Sequence, residues 1–279
     1  MKKKHLIAID LDGTLLNDDH QISKENKRAI QQAIADGHIV VIATGRPSRA
    51  SIQYYRELQL QTPMVNFNGA LVHHPTNKSW QATHEPMLKT TALNIVEACY
   101  ELEVPNIMAE VQDKVFLDKY DEKIINFFQA LESEDHQPSL TIGRLKKELA
   151  EDPTSLLISP DEKQIEILQN ELTNSHAEFI EHRNWAAPWN IIEVVRKGIH
   201  KAVGLQKIAD YFGIPRDRII AFGDEDNDLE MIDYAGVGVA MDNAIDDLKG
   251  IAKHITDSNE DSGVGNFLAK YLNLQSIHK

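Results

Sequence analysis

The chain has a single cysteine, Cys99, among its 279 residues, so no disulfide can form within it. That scarcity fits a reducing compartment, and a cytoplasmic location is the expectation. Cations are in deficit: 29 Lys plus Arg stand against 43 Asp plus Glu, a formal charge of −14. An acidic surface repels a phosphate backbone, so nucleic acid is not an expected partner. A small anionic substrate suits such a chain only where local cations or a metal reverse the field. No segment approaches the roughly 18 apolar residues of a membrane span. Met1-Lys2-Lys3-Lys4 has the charge of a signal-peptide start, but the apolar stretch after it stops at Asp10, too short for an apolar signal core. No membrane partner is expected. What is present is ordinary globular composition, 42% hydrophobic and 26% charged, at a length that suits one large or two modest domains.

The first third alternates strand and helix signals. Leu6 to Ile9 and Ile39 to Ala43 are short apolar runs, as expected of strands buried on both faces. Between them Ser23 can cap a helix with Ala29, Ile30, Ala33 and Ile34 as its apolar stripe, and Gly37 ends it. Ser48 to Leu60 reads as a helix, Pro63 to Phe67 as a strand, and Asn68-Gly69 as a tight turn. After about Ala82 short paired strands appear among helices: Asn106 to Val111, Val115 to Asp118, Ser155 to Ile158, Ala177 to Glu181 and Asn190 to Val195. The first rhythm resumes beyond Lys197, with a helix carrying Leu205 and Phe212, strands Ile219 to Phe222 and Val237 to Ala240, and a closing helix from Gly263 to Tyr271. The expected fold is α/β: a doubly wound, mainly parallel Rossmann-like core over 1–82 and 190–279, with an inserted α+β domain over 83–189.

Four short motifs sit where strands end or a helix begins. Asp10-Leu11-Asp12-Gly13-Thr14 closes the first strand, and ligands of open α/β sheets bind at carboxyl ends of strands. Two carboxylates one residue apart can divide labour, one as nucleophile and metal ligand, the other as proton donor and acceptor. Taken alone, such a motif is more readily an Asp-rich turn. Thr44 and Gly45 follow the next strand, where a hydroxyl and free N–H groups can grip phosphate, or merely start a helix. Lys201 opens a helix, where its charge opposes the dipole unless an anion lies nearby, and taken alone it is as readily a solvated lysine. Asp224, Glu225, Asp226 and Asp228 crowd the end of the strand Ile219 to Phe222, and oxygen ligands of this kind suit magnesium or calcium. An EF-hand is excluded, because Leu229 takes its glycine position and Ala235 its final glutamate.

In this order and spacing the motifs resemble the haloacid dehalogenase-like hydrolases, specifically the Cof-type phosphatases. The likeness runs on through Asn68-Gly69-Ala70, Ile192 to Lys201, Gly223 to Met231, Val239 to Met241 with Asn243-Ala244, and Thr256 to Asn259. The resemblance implies a magnesium-dependent phosphatase for a small phosphorylated metabolite, a sugar or cofactor phosphate. In such a protein Asp10 forms the aspartyl-phosphate and Asp12 serves as acid and base. Thr44, Gly45, Lys201 and Asn227 would hold the phosphoryl group. Mg²⁺ would be held by Asp10 and Asp224, by the main-chain carbonyl of Asp12, and by Asp228 directly or through water. The inserted domain becomes a C2-type cap, since only one helix fits between Asp12 and Thr44 while the interval from Thr44 to Lys201 is long. This spacing disfavours the alternative of a phosphosugar mutase, whose lid generally lies in the earlier interval. The other alternative, a non-catalytic binding protein, would be expected to lack one of Asp10, Asp12, Lys201 or Asp224. Ala202, Asp242 and Arg196 depart from the family pattern at positions without a chemical role. His73 and His74, adjacent and so on opposite strand faces, are not expected to share a metal. Trp80, Trp185, Trp189 and Arg183 are read as packing or surface residues, and Arg46 as possible support for the phosphate loop. Neither the particular substrate nor the oligomeric state follows from the sequence. The reading requires the Asp10 and Asp224 carboxylates to lie close enough to share one ion.

Overall fold

A computed structural model describes residues 3–131, 139–185 and 190–274. The chain divides into two units: Met1–Arg46, Ile52–Ala82 and His200–Lys279 form the first, Pro47–Ser51 and Thr83–Ile199 the second.

The first unit begins with β1 (Leu6–Ile9), α1 (Lys24–Ala35), β2 (Ile39–Ile42), α2 (Ser48–Glu57, in this unit from Ile52 onward), β3 (Met64–Asn66) and β4 (Leu71–His73). Both leading strands are buried at all four positions, as their continuous apolar runs require. Ser23 caps α1 by accepting a hydrogen bond from the Asn26 N–H. Ala29, Ile30 and Ala33 are buried, while Ile34, expected in the same stripe, lies at its flank and is exposed. Gly37 follows with φ of +89°, a left-handed turn that lets the chain leave the helix for β2. Helix α2 ends at Glu57, one turn short of the expected Leu60.

The second unit contains β5 (Thr83–His84), α3 (Lys89–Glu101), β6 (Asn106–Val111), β7 (Lys114–Leu117), α4 (Glu122–Leu131) and β8 (Ser139–Ile142). It continues with α5 (Leu145–Glu148), β9 (Ser155–Ser159), α6 (Glu162–His176), β10 (Ile180–Trp185) and β11 (Ile191–Arg196). Its six-stranded sheet has the order β10-β11-β9-β6-β7-β8, antiparallel except where β7 meets β8. It has its own core of residues such as Ile95, Ile107, Leu156, Leu168 and Ile192. The boundary expected at 190 falls too early. Ile192, Glu193 and Val194 pair with Ile158, Leu157 and Leu156, so β11 is an interior strand of this sheet and the chain leaves the unit only after Ile199. The strand expected at Ala177 to Glu181 is displaced to β10, because α6 runs to His176 and a turn follows.

The first unit resumes with α7 (Lys201–Phe212), β12 (Ile219–Gly223), α8 (Leu229–Tyr234), β13 (Val237–Ala240), α9 (Asp246–Ile251), β14 (His254–Ile255) and α10 (Gly263–Tyr271). Its parallel sheet runs β14-β13-β12-β1-β2. Register at the carboxyl edge is what builds the site. Ile9 stands opposite both Ile42 and Phe222, so Asp10, Ala43 and Gly223 emerge level with one another. Asp10 N–H bonds the Phe222 carbonyl and Ala43 N–H the Ile9 carbonyl, extending the ladders one residue past the strands.

Candidate active site

Three carboxylates converge at that edge. Asp10, Asp224 and Asp228 are all buried and each offers an oxygen within 4.8 Å of the others. Asp10 comes from the end of β1, and Asp224 and Asp228 follow β12. The condition set by the sequence, that Asp10 and Asp224 approach closely, is met. Glu225 and Asp226, from the same acidic run, are not in this cluster.

The cluster forms because the loops permit it. Gly13 has φ of +67° and presents bare backbone to the Asp224 carboxylate. Thr14 Oγ1 donates to Asp224 Oδ1 at 2.6 Å, and Asn243 Nδ2 donates to the Gly13 carbonyl at 2.8 Å. Asp228 Oδ2 accepts from the Asp224 N–H at 3.0 Å, folding the acidic loop onto itself. Neither Thr14 nor Asn243 carries an assigned role in the sequence reading. A threonine after an Asp-rich turn has no periodicity to mark it.

Lys201 is the first residue of α7, and its side chain has no exposed surface. Its Nζ donates to Asp10 Oδ1 at 2.7 Å and to Asp228 Oδ1 at 2.8 Å. The anion that a lysine at a helix start calls for is therefore this pair of carboxylates. Burial alone would pull the Lys201 ammonium down, but Asp10 and Asp228 outweigh it and hold the group above the ordinary lysine range. Burial pushes the Asp10 carboxyl up to about 7; Lys201 opposes this, while Asp228 and Asp12 add to it. Burial, reinforced by Asp10 and Asp228, pushes Asp224 up to about 8 against the pull of Thr14 and Lys201.

Among the described residues one ammonium bonds into this group of three buried carboxylates, and burial pushes two of the three well above the usual carboxylate range. The pocket is short of positive charge, and the ligand atoms grouped there are all oxygens. That donor set fits a hard divalent cation such as Mg²⁺.

Around the cluster lie the expected phosphate-binding groups. Thr44 is buried and its Oγ1 accepts from the Arg46 N–H at 3.1 Å. A Cβ on Gly45 would stand 3.1 Å from Asn68 Oδ1 and 3.5 Å from Asn227 Nδ2, so the bare residue leaves a cradle between two amides. Asn227 Nδ2 donates to Asn68 Oδ1, and Asn227 Oδ1 is shielded without a hydrogen-bond partner. Asn68 is the member of this group the sequence reading left without a role; its φ of +51° belongs to the turn that Asn-Gly signals. The Asp12 carboxylate stands outside the cluster, half exposed and paired with Arg46.

His73 shares a hydrogen bond with Asn66, His74 Nδ1 accepts from the Asn77 N–H, and the Trp80 ring packs edge-on against Tyr211 at 4.3 Å. Arg183 stands opposite Glu193 on β10. Trp189 and the Trp185 side chain lie outside the described residues.

A family model described as haloacid dehalogenase-like hydrolase matches residues 7–268. Among curated proteins, the chain is 48% identical over 272 residues to a Bacillus subtilis protein named 5-amino-6-(5-phospho-D-ribitylamino)uracil phosphatase YitU, covering 98% of this chain and 99% of the relative. A second B. subtilis protein of that activity name, YcsE, is 32% identical over 93% of this chain and 92% of its own length. The crystal structure of a haloacid dehalogenase-like hydrolase from Bacteroides thetaiotaomicron superposes with a TM-score of 0.83 at 25% identity, over 96% of this chain and all of the other.

Proposed function

The chain belongs to the haloacid dehalogenase-like hydrolases, and from that premise we propose that it is a magnesium-dependent phosphatase working through a phospho-aspartate on Asp10. The observation that carries the proposal is the buried meeting of Asp10, Asp224 and Asp228 around Lys201 at one sheet edge. Phosphoryl transfer demands alignment and charge neutralisation more than covalent chemistry from the protein, and this pocket is organised for both.

Asp10 Oδ attacks phosphorus, the bond from phosphorus to the ester oxygen breaks, and that oxygen leaves with a proton from Asp12. Asp12 then takes a proton from water as the water oxygen attacks the phospho-aspartate, which frees Asp10 and releases inorganic phosphate. Lys201 holds Asp10 in place and offers its ammonium to the phosphoryl oxygens. Thr44, Gly45 and Asn227 supply the surrounding hydroxyl, bare backbone and amide. Asp10, Asp224 and Asp228, with the Asp12 carbonyl, would hold Mg²⁺, which would supply positive charge against the negative charge on the transferring phosphoryl oxygens. The first unit is the catalytic core in this reading, and the second unit is the cap that selects the leaving group.

The substrate we assign is the one named for the two relatives, 5-amino-6-(5-phospho-D-ribitylamino)uracil, supported by 48% identity along nearly the whole chain. Phosphate release from that compound and from a panel of sugar and cofactor phosphates, with magnesium and with chelator, tests both levels. Release that needs magnesium and disappears in Asp10→Asn is expected. No release from any ester overturns the phosphatase reading; preference for another ester overturns only the substrate.

A further inference from the structure

Resting on that phosphatase reading, we propose that Arg46 is a positioning residue that fixes the direction of the Asp12 carboxylate for proton transfer. Arg46 Nε donates to Asp12 Oδ2 at 2.7 Å and its Nη2 to Asp12 Oδ1, a two-pronged grip spanning 34 residues of sequence. The two partners are held very differently. The Arg46 side chain is 8% exposed, while that of Asp12 is 50% exposed. An exposed carboxylate on a short side chain otherwise samples several rotamers.

Arg46 itself is anchored on every side. Its N–H bonds Thr44 Oγ1, and its carbonyl accepts from Asn66 Nδ2 at 2.9 Å and the Phe67 N–H at 3.3 Å. Its guanidinium carbon lies 5.6 Å from the centre of the Tyr54 ring, whose hydroxyl donates to the His20 carbonyl. His20 Nδ1 lies 3.8 Å from Asp12 Oδ1, and that ring is exposed. The rigid member of the pair is therefore the arginine. A planar guanidinium sets both position and plane of a carboxylate, which a point charge cannot do.

Leaving-group dependence separates positioning from binding. Phenyl phosphate needs its departing oxygen protonated, whereas 2,4-dinitrophenyl phosphate expels a stable anion unaided. The ratio kcat/KM reports steps through the first irreversible one, so the later water attack does not enter it. Arg46→Gln should lower kcat/KM for phenyl phosphate by about 100-fold, within the range for a general acid, and for the dinitrophenyl ester by only a few-fold. Asp12→Asn should show the same selectivity, and the double variant should be no worse than Asp12→Asn alone. Arg46→Lys, which keeps the charge without the fork, should fall between wild type and Arg46→Gln, and it carries the test if Arg46→Gln does not fold. Equal losses on both esters mean a phosphate contact or a structural prop and overturn the proposal. Additive losses in the double variant do so too, as does wild-type behaviour of Arg46→Lys. If wild type releases phosphate from neither ester nor from any compound of the metabolite panel, the phosphatase reading falls first and the proposal with it.

Discussion

The Cβ atom that Gly13 lacks would fall 2.1 Å from Oδ2 of Asp224, closer than any side chain can stand. The acid that follows β12 reaches the one that follows β1 only because position 13 is bare. Gly13→Ala should pay twice, through about 1–3 kcal/mol of strain at a positive φ and through displacement of Asp224. Lower denaturant midpoints together with lost magnesium activation are expected. Wild-type magnesium dependence in this variant would show that the close approach does not matter to function.

Thr14→Val removes the hydroxyl bond to Asp224 while keeping the shape of the side chain. Partners of a metal ligand typically change affinity by about 10–100-fold. The magnesium concentration for half-maximal activity should rise by that factor, with maximal turnover largely recovered at saturation. An unchanged magnesium titration would remove Thr14 from the site.

Lys201 can be tested through stability as well as rate. Lys201→Met leaves Asp10 and Asp228 buried without their shared cation. Breaking such a grouping costs about 3–5 kcal/mol, and losing a donor to the transferring group costs about 100-fold or more in turnover. Denaturant unfolding of the metal-free variant at alkaline pH reads the first quantity, phosphate release the second. A stable, inactive variant would mean the lysine acts on substrate alone.

The raised carboxyls predict a pH slope in the metal-free protein. Asp10 and Asp224 hold protons up to about 7 and 8 when folded, against an ordinary value of 3.8. From roughly pH 4 to 8 the folded state therefore binds more protons than the unfolded state, and stability falls as pH rises through that window. Chelator-treated wild type should lose stability over this range more steeply than Asp224→Asn, as measured by denaturant midpoints. Saturating magnesium should flatten the difference. Parallel profiles for the two proteins would contradict it.

The acidic strand ends were readable because chemistry and local pattern coincide there: an apolar run of four, then Asp10, or Ile219 to Phe222, then Asp224. The register that levels Ile9 with Phe222 and Ile42 is a tertiary fact, yet parallel pairing of buried strands made it the natural outcome. The pair Asp12–Arg46 was not readable, since 34 residues separate the partners and no period links them. Polar edge strands were misplaced for a related reason. In β10 the run Glu181-His182-Arg183-Asn184 carries little apolar signal, as an outermost strand with a solvated side needs little. Ser139–Ile142, the other outermost strand, went unread; three of its four residues are exposed. The strand at Asn190 to Val195 was legible among the paired strands of the inserted domain, and β11 pairs there with β9 and β10, so the boundary belongs after it rather than at 190.

Strand β12 enters the parallel sheet beside β1, yet more than 200 residues separate them along the chain. A polypeptide ending before Asp224 would hold Asp10 and Asp12 but lack the carboxylates that complete the cluster. Such long-range pairing is slow relative to local helix formation, so regain of activity after dilution from denaturant should trail the return of helical signal. On the proposed function, activity would report closure of the whole first unit, and variants truncated before Asp224 should release no phosphate.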